Sequence, residues 1–222
     1  MIKQVVTYGC SFTEGEGVDH YKSWPYCLGY NLKMKTLNRG KGGGSNKFIA
    51  AEFFRDLDNG TLEDSLVIIA WTSHLRTAFW NEKNRQWDHV VIQYMEQENS
   101  RKKDITYFYH NIFQEYSAYF ETLLEKIAVK NTLEKYNIPY IFLNALHEGP
   151  FKEISDGPLK IMKELTNSSR YMDFDTCMHL LILTDRRKYI CQDDFHPSEL
   201  GHIYLAQRIT DFIEQNNILE IK

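Results

Sequence analysis

The sequence is short of cysteine and proline, and it has no excess of charge of one sign. Its 222 residues include 4 Cys and 5 Pro, and 26 Lys and Arg stand against 30 Asp and Glu, a formal charge of -4. Cys10, Cys27, Cys177 and Cys191 form no C-x-x-C pair, which argues against a zinc knuckle or a thioredoxin-like site. Their spacing in a chain of this size also argues against a disulfide framework, so they read as reduced thiols of a cytosolic protein. The small negative charge offers no global attraction to nucleic acid or to an anionic membrane. No stretch approaches the ~20 apolar residues that span a bilayer. Met1–Gln4 leads straight into strand-like sequence without an apolar leader, so a cytoplasmic location and no membrane partner are expected.

What is present is ordinary for a globular protein, with 43% hydrophobic and 25% charged residues, enough for a real core without staples. At ~100–200 residues per domain the length fits a single domain over residues 1–222. Aromatic residues, at 14%, favour strands, a large packed core or a stacking surface. Val5–Tyr8 and Leu66–Trp71 are apolar and β-branched and read as buried strands, as does Tyr140–Ala145. Thr36–Asn38 is a shorter candidate. Ser23–Leu32, with Pro25 in its first turn, reads as a helix, and Ser45 or Asn46 caps another over Lys47–Leu57. A long helix is expected over Tyr107–Tyr136, a short one over Met178–Leu183, and a last one from Pro197 to Gln215. Residues 80–104 mix polar and aromatic side chains and read as an insertion or lid. Arg101-Lys102-Lys103 within it reads as a solvated loop, so no nucleic-acid partner is expected.

Strands alternating with helices imply a mostly parallel sheet covered on both faces, with sites at the carboxyl ends of its strands. Three stretches carry candidate chemistry, the first two at such ends and the third just before the last helix. "GCSFTEG" follows the first strand and offers Cys10 and Ser11 as nucleophiles. It is not the G-x-S-x-G elbow, because Thr13 replaces the last Gly. "GKGGGSNK" follows the second strand; it matches neither a Walker loop nor a dinucleotide fingerprint, but its bare backbone suits an anion or oxyanion. "CQDDFHPSELGH" places Asp193 three residues before His196, a spacing that lets a carboxylate orient an imidazole as general base. A metal site through Asp193, His196 and His202 lacks further clustered ligands, so no metal is expected.

Taken in order, these three blocks resemble the SGNH (GDSL-like) hydrolase family over nearly the whole chain. Its first block appears as Gly9-Cys10-Ser11, its second-block glycine maps onto Gly43, and its last block maps onto Asp193 and His196. The third block departs, because the family's Gly-x-Asn-Asp is absent after Trp71; Thr72, Ser73, His74 or Arg76 stand where its oxyanion-binding Asn belongs. Loss of one oxyanion donor typically costs about 10²–10³ in turnover. Trp71–Arg76 is similar to the corresponding stretch of viral-looking members, which carries the expectation of a viral or phage origin.

The resemblance implies a flavodoxin-like three-layer α/β/α sandwich with a central parallel sheet of about five strands. It implies an esterase that removes an acetyl or short acyl group from a carbohydrate or small-molecule ester and needs no cofactor. Ser11 is its nucleophile, and Asp193 and His196 complete the triad. Gly43, Thr72, Ser73 and Arg76 are its oxyanion or substrate-binding residues. An acyltransferase on the same fold, or a weakly catalytic binding relative, are the alternatives. Cys10 is expected to point away from Ser11 into the protein.

Overall fold

The structure is a computed structural model, and it describes residues 2–91, 111–146, 160, 164–165, 168–172, 177–192 and 195–220. Strand β1 covers Gln4–Gly9, β2 Lys35–Gly40 and β3 Ser65–Trp71. Strands β4 (Arg76–Asn81) and β5 (Gln86–Val91) follow, and Tyr140–Asn144 is β6. The helices are α1 (Ser11–Glu14), α2 (Trp24–Leu32), α3 (Asn46–Asp58) and α4 (Glu115–Lys135). They continue with α5 (Met178–Leu183), α6 (Arg186–Tyr189) and α7 (Glu199–Gln215). Among the described residues no helix is long and apolar enough to cross a membrane.

Four strands form the central sheet in the order β2-β1-β3-β6, and every pairing in it is parallel. A parallel bridge from Phe142 to Tyr171 marks a fifth position beside β6. The side-chain period of two splits each strand between two cores. Val5, Leu66, Ile68, Ala70, Ile141 and Leu143 pack with Trp24 and Leu28 of α2 and Leu205, Ile209 and Ile213 of α7. Val6, Tyr8, Val67, Ile69, Trp71 and Phe142 pack with Ile49 and Phe53 of α3 and Val129 and Leu133 of α4. Two helical layers therefore sandwich the sheet, as the α/β pattern implied.

Three elements differ from expectation. The last helix begins at Glu199 rather than at Pro197, because the Ser198 side chain accepts the Gly201 N–H and caps it there, while Pro197 bridges back to Ile190. The long helix begins at Glu115, preceded by an extended Gln114; residues 107–110 of the expected span lie outside the described residues. Finally, β4 and β5 pair antiparallel as a hairpin, with Trp80 opposite Trp87 and Ala78 opposite His89. The hairpin holds the described part of the expected insertion, and 92–104 lie outside the described residues.

A buried ion pair ties the strands that carry the first two sequence blocks to α3. Arg39 of β2 donates from Nε and Nη2 to the two oxygens of Asp56, at 2.9 and 3.0 Å. The Tyr8 hydroxyl of β1 donates to Asp56 Oδ2 at 2.9 Å. Burial, followed by the Asp56 charge, pushes the Tyr8 phenol well above its ordinary range, so it stays a donor.

Candidate active site

The sheet order places β2 on one side of β1 and β3 on the other, so the order reverses at the carboxyl ends of β1 and β3, the position where open parallel sheets carry their sites. Cys10 leaves β1 in extended conformation, its side chain fully buried in the core, and Ser11 begins α1 beside it. Cys10 thus packs inward, as alternation predicts. His196 Nε2 lies 2.8 Å from Ser11 Oγ, although 185 residues separate the two in sequence. With the imidazole proton on Nδ1, Nε2 accepts the Ser11 O–H. The loop that carries His196 is pinned at its base: the Cys191 N–H donates to the His196 carbonyl at 3.0 Å, and Ile190 bridges to Pro197. The Phe12 ring flanks the imidazole, with centroids 5.5 Å apart. Asp193, the expected orienting carboxylate, lies outside the described residues.

The second-block loop is braced directly against the nucleophile helix. Asn38 Nδ2 donates to the Thr13 carbonyl at 2.7 Å, while its Oδ1 accepts the Gly40 N–H at 2.8 Å. Glu14 Oε2 accepts the Gly42 N–H at 2.5 Å, and the Lys41 N–H donates to the Gly9 carbonyl at 3.1 Å. Gly43 then takes a left-handed φ of 70° before Ser45 caps α3 through the Phe48 N–H. The Gly43 N–H has no hydrogen-bond acceptor among the described residues. Ser11, as the first residue of α1, has no intrahelical acceptor for its own N–H. Sequence reasoning missed Asn38 and Glu14, and their polarity beside glycines was the only signal available.

The end of β3 is organised by Asn46, considered from sequence only as a possible cap. Its amide grips the Thr72 backbone from both sides: Nδ2 donates to the Thr72 carbonyl at 2.9 Å and Oδ1 accepts the Thr72 N–H at 2.8 Å. A third bond reaches Thr122 Oγ1 at 3.3 Å. Thr72 and Ser73 are both buried; Thr72 Oγ1 has no partner among the described residues, and Ser73 Oγ accepts the Leu75 N–H. His74 Nε2 lies 3.4 Å from Glu115. Arg76 lines a cavity of about 160 Å³ with Lys47, His74, Glu121 and Glu125, whose lining includes none of Ser11, Gly43 and His196. Burial, with the charge of Glu121, pushes the Glu125 carboxyl up to about 7. A cavity of about 970 Å³ lies at the opposite, amino-terminal ends of the strands, between Ile2, Ser65 and Pro139, and has no histidine or cysteine among its described lining residues.

No family model matches the chain, and no curated protein matches it. Solved structures do match over nearly the full length. A Pseudoalteromonas sp. esterase, solved in a form inhibited by monoethylphosphonate, superposes with a TM-score of 0.58 at 12% identity, covering 96% of this chain and 97% of its own. A protein described as lipolytic and of the G-D-S-L family, from Desulfitobacterium hafniense DCB-2, gives 0.55 at 14% identity, covering 95% and 99%. An acetyl xylan esterase gives 0.52 at 14%, covering 94% and 98%. The fold is that of the SGNH (GDSL-like) hydrolases.

Two further histidines lie near the pair formed by Ser11 and His196. Phe12 packs edge-on against His179, whose imidazole is held below its ordinary pKa by burial and then by the charge of His196. His202 is fully buried, and its Nδ1 accepts the Trp24 N–H at 3.1 Å, which commits that nitrogen to the backbone. Among the described residues no group of three or more His, Cys, Asp or Glu is placed to hold a metal ion. Burial, followed by the charge of His196, lowers His202 to about 4. Between that value and the ~6.5 of an unfolded histidine, the unfolded chain binds a proton that the native state refuses. Stability therefore falls as pH drops through this window, by up to about 3 kcal/mol. Urea midpoints at pH 7 and pH 4.5 should show the slope, and His202→Gln, which can accept from Trp24 without titrating, should make it shallower, with His179 left to contribute. An equal slope in both proteins would rule His202 out as its source.

Proposed function

We propose that the protein is a serine ester hydrolase that removes an acetyl or short acyl group from a carbohydrate or small-molecule ester through an acyl-enzyme. The observation that carries this reading is the 2.8 Å contact between Ser11 Oγ and His196 Nε2 at the carboxyl ends of a parallel sheet. Ser11 Oγ attacks the acyl carbonyl as His196 Nε2 takes its proton. The N–H groups of Ser11 and Gly43 hold the oxyanion, with Thr72 or Ser73 as a third donor. His196 then gives the proton to the leaving alcohol. Water gives a proton to the same nitrogen as it attacks the acyl-enzyme carbonyl; the bond to Ser11 Oγ then breaks, Oγ takes that proton back from His196, and the acid is released. Asp193 orients the imidazole and stabilises its charged form. The acetyl xylan esterase among the similar structures supports a carbohydrate acetyl ester as substrate.

A fluorophosphonate probe should label the folded protein at Ser11 alone, located by mass spectrometry of the modified peptide. His196→Ala should slow that labelling by orders of magnitude, because Ser11 loses its base. Labelling of Cys10 or of another serine would reject the assignment. A binding-only relative would resist the probe while keeping ligand affinity.

A further inference from the structure

The loop after the nucleophile carries a carboxylate into the mouth of the site. Glu16 Oε2 lies 3.5 Å from His196 Nε2, the same nitrogen that meets Ser11. That oxygen is also 3.6 Å from the place a Cβ on Gly42 would occupy, so the carboxylate reaches from the histidine to the loop that holds Gly43. Backbone contacts fix this placement: the Gly15 and Glu16 N–H groups both donate to the Ser11 carbonyl, at 3.0 and 3.1 Å. Gly15 and Gly17 flank it with φ of 93° and 90°. A Cβ on the first would stand 2.4 Å from the Ser23 Cβ, and one on the second 3.1 Å from Cys191 Sγ. The turn that presents Glu16 therefore needs glycine on both sides. Nearby, Glu14 is engaged by the Gly42 N–H and by Lys41 Nζ at 3.7 Å, so those two charges offset each other. Glu16, with 52% of its side chain exposed, faces the reacting nitrogen.

We propose that Glu16 is a specificity-determining residue that reads the alcohol half of the ester. It favours alcohols with a hydrogen-bond donor next to the ester oxygen, such as a vicinal hydroxyl, and disfavours alcohols with a negative charge there. The inference rests on the ester-hydrolase reading above. As the tetrahedral intermediate collapses, its C–O bond to the alcohol breaks and Nε2 of His196 delivers its proton to that oxygen, which must lie about 3 Å away. A carboxylate 3.5 Å from the same nitrogen is then no more than about 6.5 Å from the leaving oxygen, within reach of the carbon that bears the neighbouring substituent. An ionised carboxylate only accepts hydrogen bonds. A neighbouring hydroxyl replaces the water it gives up, whereas a second anion at this distance costs about tenfold in rate.

The test uses two matched acetates, 2-hydroxyethyl acetate and acetoxyacetate, which differ in a hydroxymethyl against a carboxylate beside the ester. Their kcat/KM ratio is measured for wild type, Glu16→Gln and Glu16→Lys, with p-nitrophenyl acetate as reporter of the machinery. Comparing one ratio between variants cancels the esters' intrinsic reactivity. Glu16→Gln should shift the ratio towards the anionic ester by about tenfold, and Glu16→Lys should shift it further the same way. A ratio unchanged within twofold, in proteins that still turn over p-nitrophenyl acetate, overturns the role of Glu16 alone. A wild type inert towards p-nitrophenyl acetate overturns the hydrolase reading, and this inference with it.

Discussion

Ser11→Ala is expected to lower the hydrolysis of p-nitrophenyl acetate by about 10⁶ in turnover, the scale on which serine hydrolases lose their nucleophile. The substitution removes one hydroxyl from a site that is 3% exposed, so no large cavity opens. Alanine suits the first turn of α1 as well as serine does. His196 loses its 2.8 Å partner but keeps Glu16 at 3.5 Å, and 19% of its own side chain remains open to water. The fold should therefore survive with an unchanged melting temperature, and activity and stability should separate cleanly. Equal turnover by wild type and variant would remove Ser11 as nucleophile. A parallel loss of melting temperature would show instead that the hydroxyl is structural.

The largest effect on stability is expected from Asp56→Asn. Asp56 is 1% exposed, and it gathers the Arg39 guanidinium and the Tyr8 hydroxyl on one carboxylate. The isosteric amide keeps the volume but removes the negative charge, and it turns one acceptor into a donor facing Arg39. A half-buried guanidinium is then left without a counter-charge. Breaking one partner of such a pair typically costs about 3–5 kcal/mol. For a chain of this size that lowers Tm by roughly 6–20 °C, readable by calorimetry or circular dichroism at pH 7. The site should suffer as well. Tyr8 is three residues before Ser11, and Arg39 is four before Gly43, so the pair holds both arms in register. A change in stability below about 1 kcal/mol, the level of a surface ion pair, would show that the network does not hold them.

How much was legible beforehand differs by element. Leu66–Trp71 could hardly be misread, since six apolar residues without a polar break suit only a strand buried on both faces. The hairpin was missed for a local reason. Its turn, Glu82-Lys83-Asn84-Arg85, contains no glycine; Arg85 takes φ of 52° itself, and Asn81 Oδ1 accepts the Lys83 and Asn84 N–H groups. The usual hairpin signal, Asn-Gly or Asp-Gly, is absent. The start of the last helix was misplaced because Pro197 suits a first turn, but Ser198 one residue later offers the stronger cap. Asn46 was legible as a polar residue near a helix start, but its grip on Thr72 depends on a strand 26 positions away.

By itself the sequence determined the alternation of strands and helices, the two-faced apolar pattern of β1 and β3, and the order of the blocks at Ser11, Gly43 and His196. Those properties depend on side-chain period and on neighbours within a turn or two, which the chain connects covalently. Only the tertiary structure decided which groups meet across long separations. It brought His196 onto Ser11, put Glu16 against the same nitrogen, braced Gly42 on Glu14, and placed Arg76 in a cavity that Ser11 does not line. Each of these contacts depends on the register of parallel strands and on the packing of helices from opposite ends of the chain. Distances of a few ångströms between such groups are set by the whole core, and no local stretch of sequence contains them.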